Sequence, residues 1–419
     1  MTQKTKRVIR PRARAIAWLF MLLYFSSYVM RINFAVMMVK ICSDMNLEKT
    51  ALAVVVTGLT VSYGGGQLVS GYIGDKIKPQ SVIATGLLFA VLSNVAMSFF
   101  HSVAAMTIVW IVNGFAHAML WPPMVRMLAT YLTDEEYGYG MIRTVCGSQG
   151  ATILLYLVCP LLLHVMSWRV VMLLCAAVGA LVLILWIPLS RRLFTDPVGL
   201  KEVQEQSPEI KQPTVSKIPS YVILPLAMIM VGLILQGMLR DGVTNWMPFY
   251  MKETFHIPEE NAIISTAILG VFNILSFSFF DWVHRKFFHN EVFCAAVIFV
   301  FSSACALVLW IADSLAANAV VSMLFMAFIV AAMHGINLML ISVVPKRFLK
   351  LGKVSTYSGL LNAFTYIGAA IASYGFAALA EIFNWNVVIM TWIIIAALGI
   401  AACLIATPIW KRFCKEYAE

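Results

Sequence analysis

The sequence predicts an all-α membrane protein of twelve transmembrane helices arranged as two pseudo-symmetric six-helix bundles. Three observations carry this expectation. First, 61% of the 419 residues are hydrophobic, only 12% are charged, and the mean hydropathy is +0.86. A soluble domain of this length cannot hide so much apolar surface, so the bilayer must serve as solvent. Second, stretches long enough to cross ~30 Å of hydrocarbon at ~20 residues each recur twelve times. They run over 15–39, 51–73, 81–99, 103–131, 139–166, 168–190, 219–251, 261–281, 291–312, 316–344, 354–380 and 386–409. Third, the two halves of the chain echo each other in sequence.

The first span follows a basic segment holding Lys4, Lys6, Arg7, Arg10, Arg12 and Arg14. Its apolar run is too long for a signal peptide and lacks a small-residue cleavage site, so it reads as a retained helix. With the N-terminus inside, cytoplasmic segments collect most of the Lys and Arg, among them Lys76, Lys78, Arg191, Arg192, Lys201, Lys211, Lys217, Arg285, Lys286, Lys346, Arg347, Lys411 and Arg412. External loops hold few, chiefly Lys40, Lys49, Arg169 and Lys252. That asymmetry predicts cytoplasmic termini. A multi-pass protein of the bacterial inner (plasma) membrane is expected.

Midway along the chain, Ser190 to Pro219 is polar, mixed in charge and punctuated by Pro197, Pro208 and Pro213. It reads as a linker, dividing the chain into a bundle at 1–190, a cytoplasmic linker at 191–218 and a bundle at 219–419. The echo supports this division. Span 6 opens Ser167-Trp168-Arg169-Val170-Val171-Met172 and span 12 opens Asn384-Trp385-Asn386-Val387-Val388-Ile389, 217 residues later. At the same offset His117 of span 4 matches His334 of span 10, and Asp75 after span 2 is echoed by Asp281 after span 8. A six-helix internal repeat of this kind predicts a substrate site near the midplane where the repeats meet.

Several classes of function are excluded. The net charge of +10 is dispersed among apolar stretches rather than gathered in a basic domain with stacking aromatics, which argues against nucleic acid. The eight cysteines lie mostly in apolar stretches (Cys146, Cys175, Cys294, Cys305, Cys403) and show no metal-ligand spacing. Neither a disulfide framework nor a metal site is expected. No GxxxxGK[ST], HExxH or GxSxG is present, so no enzyme, no cofactor and no ATP-driven step is expected of this chain.

A charged side chain deep in a membrane helix costs ~2.5–3.5 kcal/mol on insertion scales and needs a reason to be there. Arg31 in span 1 and Arg240 in span 7 occupy matching helices, 209 residues apart. The alternatives are a snorkelling arginine or an internal ion pair, but span 1 offers no carboxylate. Two guanidiniums lining one cavity repel unless an anion lies with them, and their forked geometry suits phosphate or carboxylate. A divalent anion held by one arginine from each half would link binding to closure.

Around Arg31, Tyr24 and Tyr28 lie on much the same helical face, and Tyr63 of span 2 precedes Gly64-Gly65-Gly66-Gln67. These phenols and Gln67 can hydrogen-bond a polar substrate, or else serve as aromatic packing with glycines for close helix contact. Trp121-Pro122-Pro123 demands a break in span 4. His117 and His334 are candidates for proton coupling or anion binding, and equally for structural hydrogen bonding. Arg143 in span 5 is either a third cationic contact or a snorkelling residue. Asp241, ~100° round the helix from Arg240, compensates charge or carries a proton. Asp75 and Arg126 read as a gate latch.

These residues resemble the organophosphate:phosphate antiporter family of the major facilitator superfamily, which includes bacterial glycerol-3-phosphate and hexose-6-phosphate transporters. The most specific stretches are Tyr28-Val29-Met30-Arg31-Ile32-Asn33-Phe34-Ala35, Ser62-Tyr63-Gly64, Trp121-Pro122-Pro123 with Arg126, Leu239-Arg240-Asp241-Gly242-Val243-Thr244-Asn245-Trp246-Met247-Pro248, and Tyr366-Ile367-Gly368. The resemblance implies the major facilitator fold, Arg31 and Arg240 as the phosphate-binding pair, and Tyr24, Tyr28, Tyr63, Trp121 and Tyr366 near the cavity. This sequence departs from the glycerol-3-phosphate transporter at Gln67, Gly147 and Thr266, where that protein has lysine, histidine and glutamate, and it adds His117 and Arg143.

The expectation is therefore a secondary transporter of a small organic anion, most simply a phosphorylated metabolite, exchanged for inorganic phosphate. Rival readings are a proton-coupled carboxylate or organic-anion symporter and a transporter-like sensor, since the family resembled also includes a hexose-phosphate receptor. One chain holds both halves of the expected site, so a monomer suffices.

Overall fold

The computed structural model describes residues 9–47, 49–199, 201, 219–257, 265, 267–315 and 318–418. Every regular element among them is helical. Seven helices precede the expected linker: α1 (Pro11–Met45), α2 (Lys49–Lys76), α3 (Pro79–Met97), α4 (Val103–Ala118), α5 (Trp121–Tyr131), α6 (Asp134–Val165) and α7 (Trp168–Leu193). After it come α8 (Ile223–Phe255), α9 (Ala267–Lys286), α10 (Glu291–Ser314), α11 (Ala319–Asn337), α12 (Val354–Ile382) and α13 (Trp385–Phe413). A π-helical segment, Leu338–Val343, and a last turn, Val344–Lys346, continue α11.

Since α4 with α5, and α11 with its continuation, each make one rod, the rods number twelve and follow the twelve spans. Nine of them are long and apolar enough to cross a membrane by the described residues alone. The other three, α2, α9 and α12, run 28, 20 and 29 residues. Most of the linker, with Pro208, Pro213, Lys211 and Lys217, lies outside the described residues, as do Thr266 and the starts of spans 8 and 10.

Local sequence explains where the rods begin. Pro11 and Pro79 stand in the first turns of α1 and α3, where the missing N–H costs nothing. Ser102, Asn290, Asn318 and Asn384 cap α4, α10, α11 and α13 with side-chain oxygens on first-turn amides, satisfying donors that have no partner within the helix. Thr133 and Glu136 form a reciprocal capping box on α6, and Glu136 also holds Arg10 through Nε at 2.7 Å.

The chain divides into two compact units, residues 1–66 with 73–209, and 67–72 with 210–419. In the first unit α1 packs on α6 and α7, and α3 on α4 and α7; in the second α8 packs on α12 and α13, and α10 on α11 and α13. The same pairings recur helix for helix, which is the pseudo-symmetry that the sequence echo predicts. Phe34, Met37, Trp110, Trp168 and Met172 centre the core of the first unit. Large apolar side chains such as Leu157, Leu161, Val165 and Ile184 are exposed, as suits helices solvated by lipid.

Candidate functional site

In the first unit, the Arg31 guanidinium carbon lies 4.0 Å from the Tyr63 ring centroid and 5.4 Å from that of Tyr28. Facing π-systems attract a cation without neutralising it. α2 comes close enough to supply Tyr63 because glycines line its crossing with α4. A Cβ at Gly66 would sit 2.7 Å from Ala118 Cβ, and one at Gly114 would overlap Ser62 and the Leu59 carbonyl. Gly65, by contrast, faces open space.

The backbone beneath Arg31 is fixed by three amides that sequence reasoning did not single out. Asn94 of α3 and Asn113 of α4 both donate through Nδ2 to the Met30 carbonyl, at 3.0 and 3.1 Å. Asn33 Nδ2 donates to Asn94 Oδ1 at 2.7 Å, and its own Oδ1 accepts from the Phe34 amide at 2.8 Å. All three side chains are buried. Their signal was present in the sequence, as amides inside otherwise apolar spans.

The other first-unit candidates cluster in part. Tyr24 packs edge-on against Trp121, centroids 5.7 Å apart, and the Trp121 indole N–H is buried with no hydrogen-bond partner among the described residues. His117 is buried, with Nδ1 2.9 Å from Ser27 Oγ, one turn before Arg31. Span 4 breaks where the prolines require, α4 ending at Ala118 and α5 starting at Trp121. Arg143 associates instead with the Trp18 and Tyr139 rings, at 5.4 and 5.0 Å, and Trp18 is itself exposed. At the end of α2, Arg126 donates to the Gly74 carbonyl at 2.5 Å and brings Nε to 4.0 Å from Asp75 Oδ1.

In the second unit the arginine has a different setting. Arg240 forms a two-pronged pair with Asp241, Nε to Oδ1 at 2.7 Å and Nη2 to Oδ2 at 2.9 Å. Helical spacing alone places the two ~100° apart, yet their flexible side chains meet. Tyr366 of α12 lies 5.9 Å from the Arg240 guanidinium carbon. Gln236, the counterpart of Ser27 one turn before the arginine, donates to the carbonyl of Met333, next to His334. His334 is half-buried, its ring 5.8 Å from that of Phe277. Gln67 groups with this unit and is fully buried, and its side-chain amide makes no hydrogen bond among the described residues.

Gly147, where the resemblance would place a histidine, meets α1 directly. A Cβ there would overlap the Met21 carbonyl. Gly237 and Gly368 do the same for α8 and α12, against the carbonyls of Thr365 and Ile234.

Repeated six-helix packing, with one arginine among aromatic rings on the first helix of each repeat, defines a multi-pass membrane protein of the two-repeat class. The chain belongs to the Major Facilitator Superfamily, whose family model matches residues 20–373. It is 26% identical to the glycerol-3-phosphate transporter of Bacillus subtilis, over 87% of this chain and 85% of that protein. It is 22% identical to a probable hexose phosphate transport protein of Chlamydia muridarum, over 93% of this chain and 89% of that one. Among solved structures, the proton:xylose symporter XylE superposes with a TM-score of 0.75 at 16% identity, covering 95% of both chains. That likeness shows the fold.

Proposed function

We propose that this protein is a secondary transporter that moves a small phosphorylated metabolite across the inner membrane in exchange for inorganic phosphate, by alternating access. The observation that carries the reading is the setting of Arg31: an intramembrane guanidinium held between Tyr28 and Tyr63 on a backbone fixed by buried amides. Such a group is pre-organised to bind an oxyanion through its fork. Arg240 is the second anion ligand, with Tyr24, Trp121 and Tyr366 shaping the site around each cation. The phosphorylated substrates named for the relatives agree with this chemistry. Asp75 with Arg126 acts as a latch on the cytoplasmic side, both termini are cytoplasmic, and the six-helix halves are the moving bodies.

The Arg240–Asp241 pair favours a second reading, proton-coupled uptake of an organic anion. Protonation of Asp241 would release Arg240 for the anion, so proton and substrate would enter together. His117 and His334 are the remaining proton-carrying candidates. A sensor is the third reading, and it binds without transport.

Uptake of labelled inorganic phosphate into phosphate-loaded proteoliposomes, challenged with sugar phosphates, glycerol phosphates and dicarboxylates, separates the three. Exchange inhibited by a phosphorylated compound is the expected result. Uptake driven by a pH gradient without internal phosphate would select the symporter, and binding without flux the sensor.

A further inference from the structure

The first unit contains a basic cavity that none of the proposed substrate residues lines. It occupies about 710 Å³ at one end of the bundle, where α2 and α5 finish, α3 begins and α7 ends. Lys76, Lys78, Arg126 and Arg191 contribute to its wall, and no described lining residue is acidic. Lys78 and Arg191 are exposed and form no ion pair among the described residues. Like charges gathered around one concavity raise its potential and concentrate anions there.

Two further features sharpen the chemistry. The 19-residue helix α3 starts on the wall of this cavity, with Pro79 in its first turn and no side-chain cap from Lys78. Its positive dipole end therefore adds to the basic wall. The rest of the lining includes Trp186 and Tyr131, and Trp186 is held in place by its indole N–H on the Gln80 carbonyl at 3.0 Å. A site this size, with basic and aromatic side chains in its wall, exceeds what bare orthophosphate fills. Helix ends are also where membrane and water meet.

We infer that this cavity binds a phosphate ester carrying a short organic group, the chemistry shared by an anionic phospholipid headgroup and a free glycerol phosphate. The site is separate from the proposed transport site, and its test does not depend on transport.

The full chain, purified in detergent, is offered phosphatidylglycerol or phosphatidylcholine, and retained lipid is counted by native mass spectrometry. Glycerol 1-phosphate binding without lipid is followed by calorimetry in an Arg31→Ala/Arg240→Ala background. Lys78→Gln/Arg191→Gln is expected to reduce ligand retention at least tenfold, while Arg31→Ala/Arg240→Ala leaves it unchanged. Ser81→Trp, which fills the cavity and keeps its charge, is expected to do the same as the charge variant. Loss confined to phosphatidylglycerol identifies a lipid site, and loss confined to glycerol 1-phosphate identifies a soluble-anion site. Unchanged retention of both ligands in the two cavity variants, each eluting as a monodisperse protein, would overturn the inference.

Discussion

Arg240 and Asp241, adjacent in sequence, close a two-pronged ion pair along the Nε/Nη2 edge of the guanidinium, at 2.7 and 2.9 Å. An anion approaching the Nε/Nη2 edge of Arg240 must share it with the carboxylate or displace it. Asp241→Asn removes the competing charge and is expected to tighten phosphate binding about fivefold to tenfold, a gain of about 1–1.4 kcal/mol. Equilibrium binding of labelled phosphate to the purified variant measures it. An unchanged Kd would show that anion and Asp241 do not contend for the same nitrogens.

Arg31→Lys and Arg240→Lys each keep the charge and lose the fork. Binding of the phosphorylated substrate is expected to weaken at least tenfold in either variant, with the thermal midpoint changed little. Full exchange activity in one of them would remove that arginine from the site.

Asn94→Ala takes away one of two amide donors to the Met30 carbonyl and leaves Asn33 Nδ2 with only the weak acceptor Met172 Sδ, at 3.1 Å. Buried hydrogen bonds lost in this way cost roughly 0.5–1.5 kcal/mol each. The expected signature combines a lower thermal midpoint with a raised substrate KM, because the backbone that aims Arg31 loosens. Asn113→Ala, which leaves the Asn33–Asn94 bond intact, should show a smaller version of both. A variant with wild-type KM would mean the amides serve stability alone.

Gly147 and Gly150, three residues apart on α6, separate steric need from helix propensity. A methyl at Gly147 meets the Met21 carbonyl, while Gly150 has nothing within 4 Å. Gly147→Ala is expected to cost roughly 1–3 kcal/mol through overpacking and to lower the yield of monodisperse protein. Gly150→Ala should be neutral or slightly stabilising. Equal behaviour of the two would contradict the close α1–α6 crossing.

The twelve rods were legible because hydropathy over ~20 residues is set by the bilayer and not by neighbours. Arg31 and Arg240 stood out for the same reason, as charges in the wrong solvent. Partners of those charges were legible only in part. Tyr28 and Tyr63 stood out beside Arg31 in the sequence, but the Asn33–Asn94–Asn113 set, which joins three separate spans, did not. Arg240 with Asp241 shows the limit of helical-wheel reasoning: Cβ directions diverge, but long side chains bridge the gap. The break at Trp121 was readable from its prolines, whereas the π-helical segment at Leu338–Val343 contains no proline to announce it.

That last pair lies at matched register, since Leu338 is 217 residues after Trp121, the same spacing as His334 after His117. One repeat interrupts its fourth rod with residues that have no N–H to give; the other reaches its interruption by winding wider. Two interruptions at one address, the second followed within two residues by Pro345, make the fault a feature common to both repeats. Each interruption can therefore be removed alone, by restoring N–H groups in the first or by replacing Pro345 and deleting one residue in the second. A single chain thus supplies its own control for asking whether both interruptions are needed for the molecule to work.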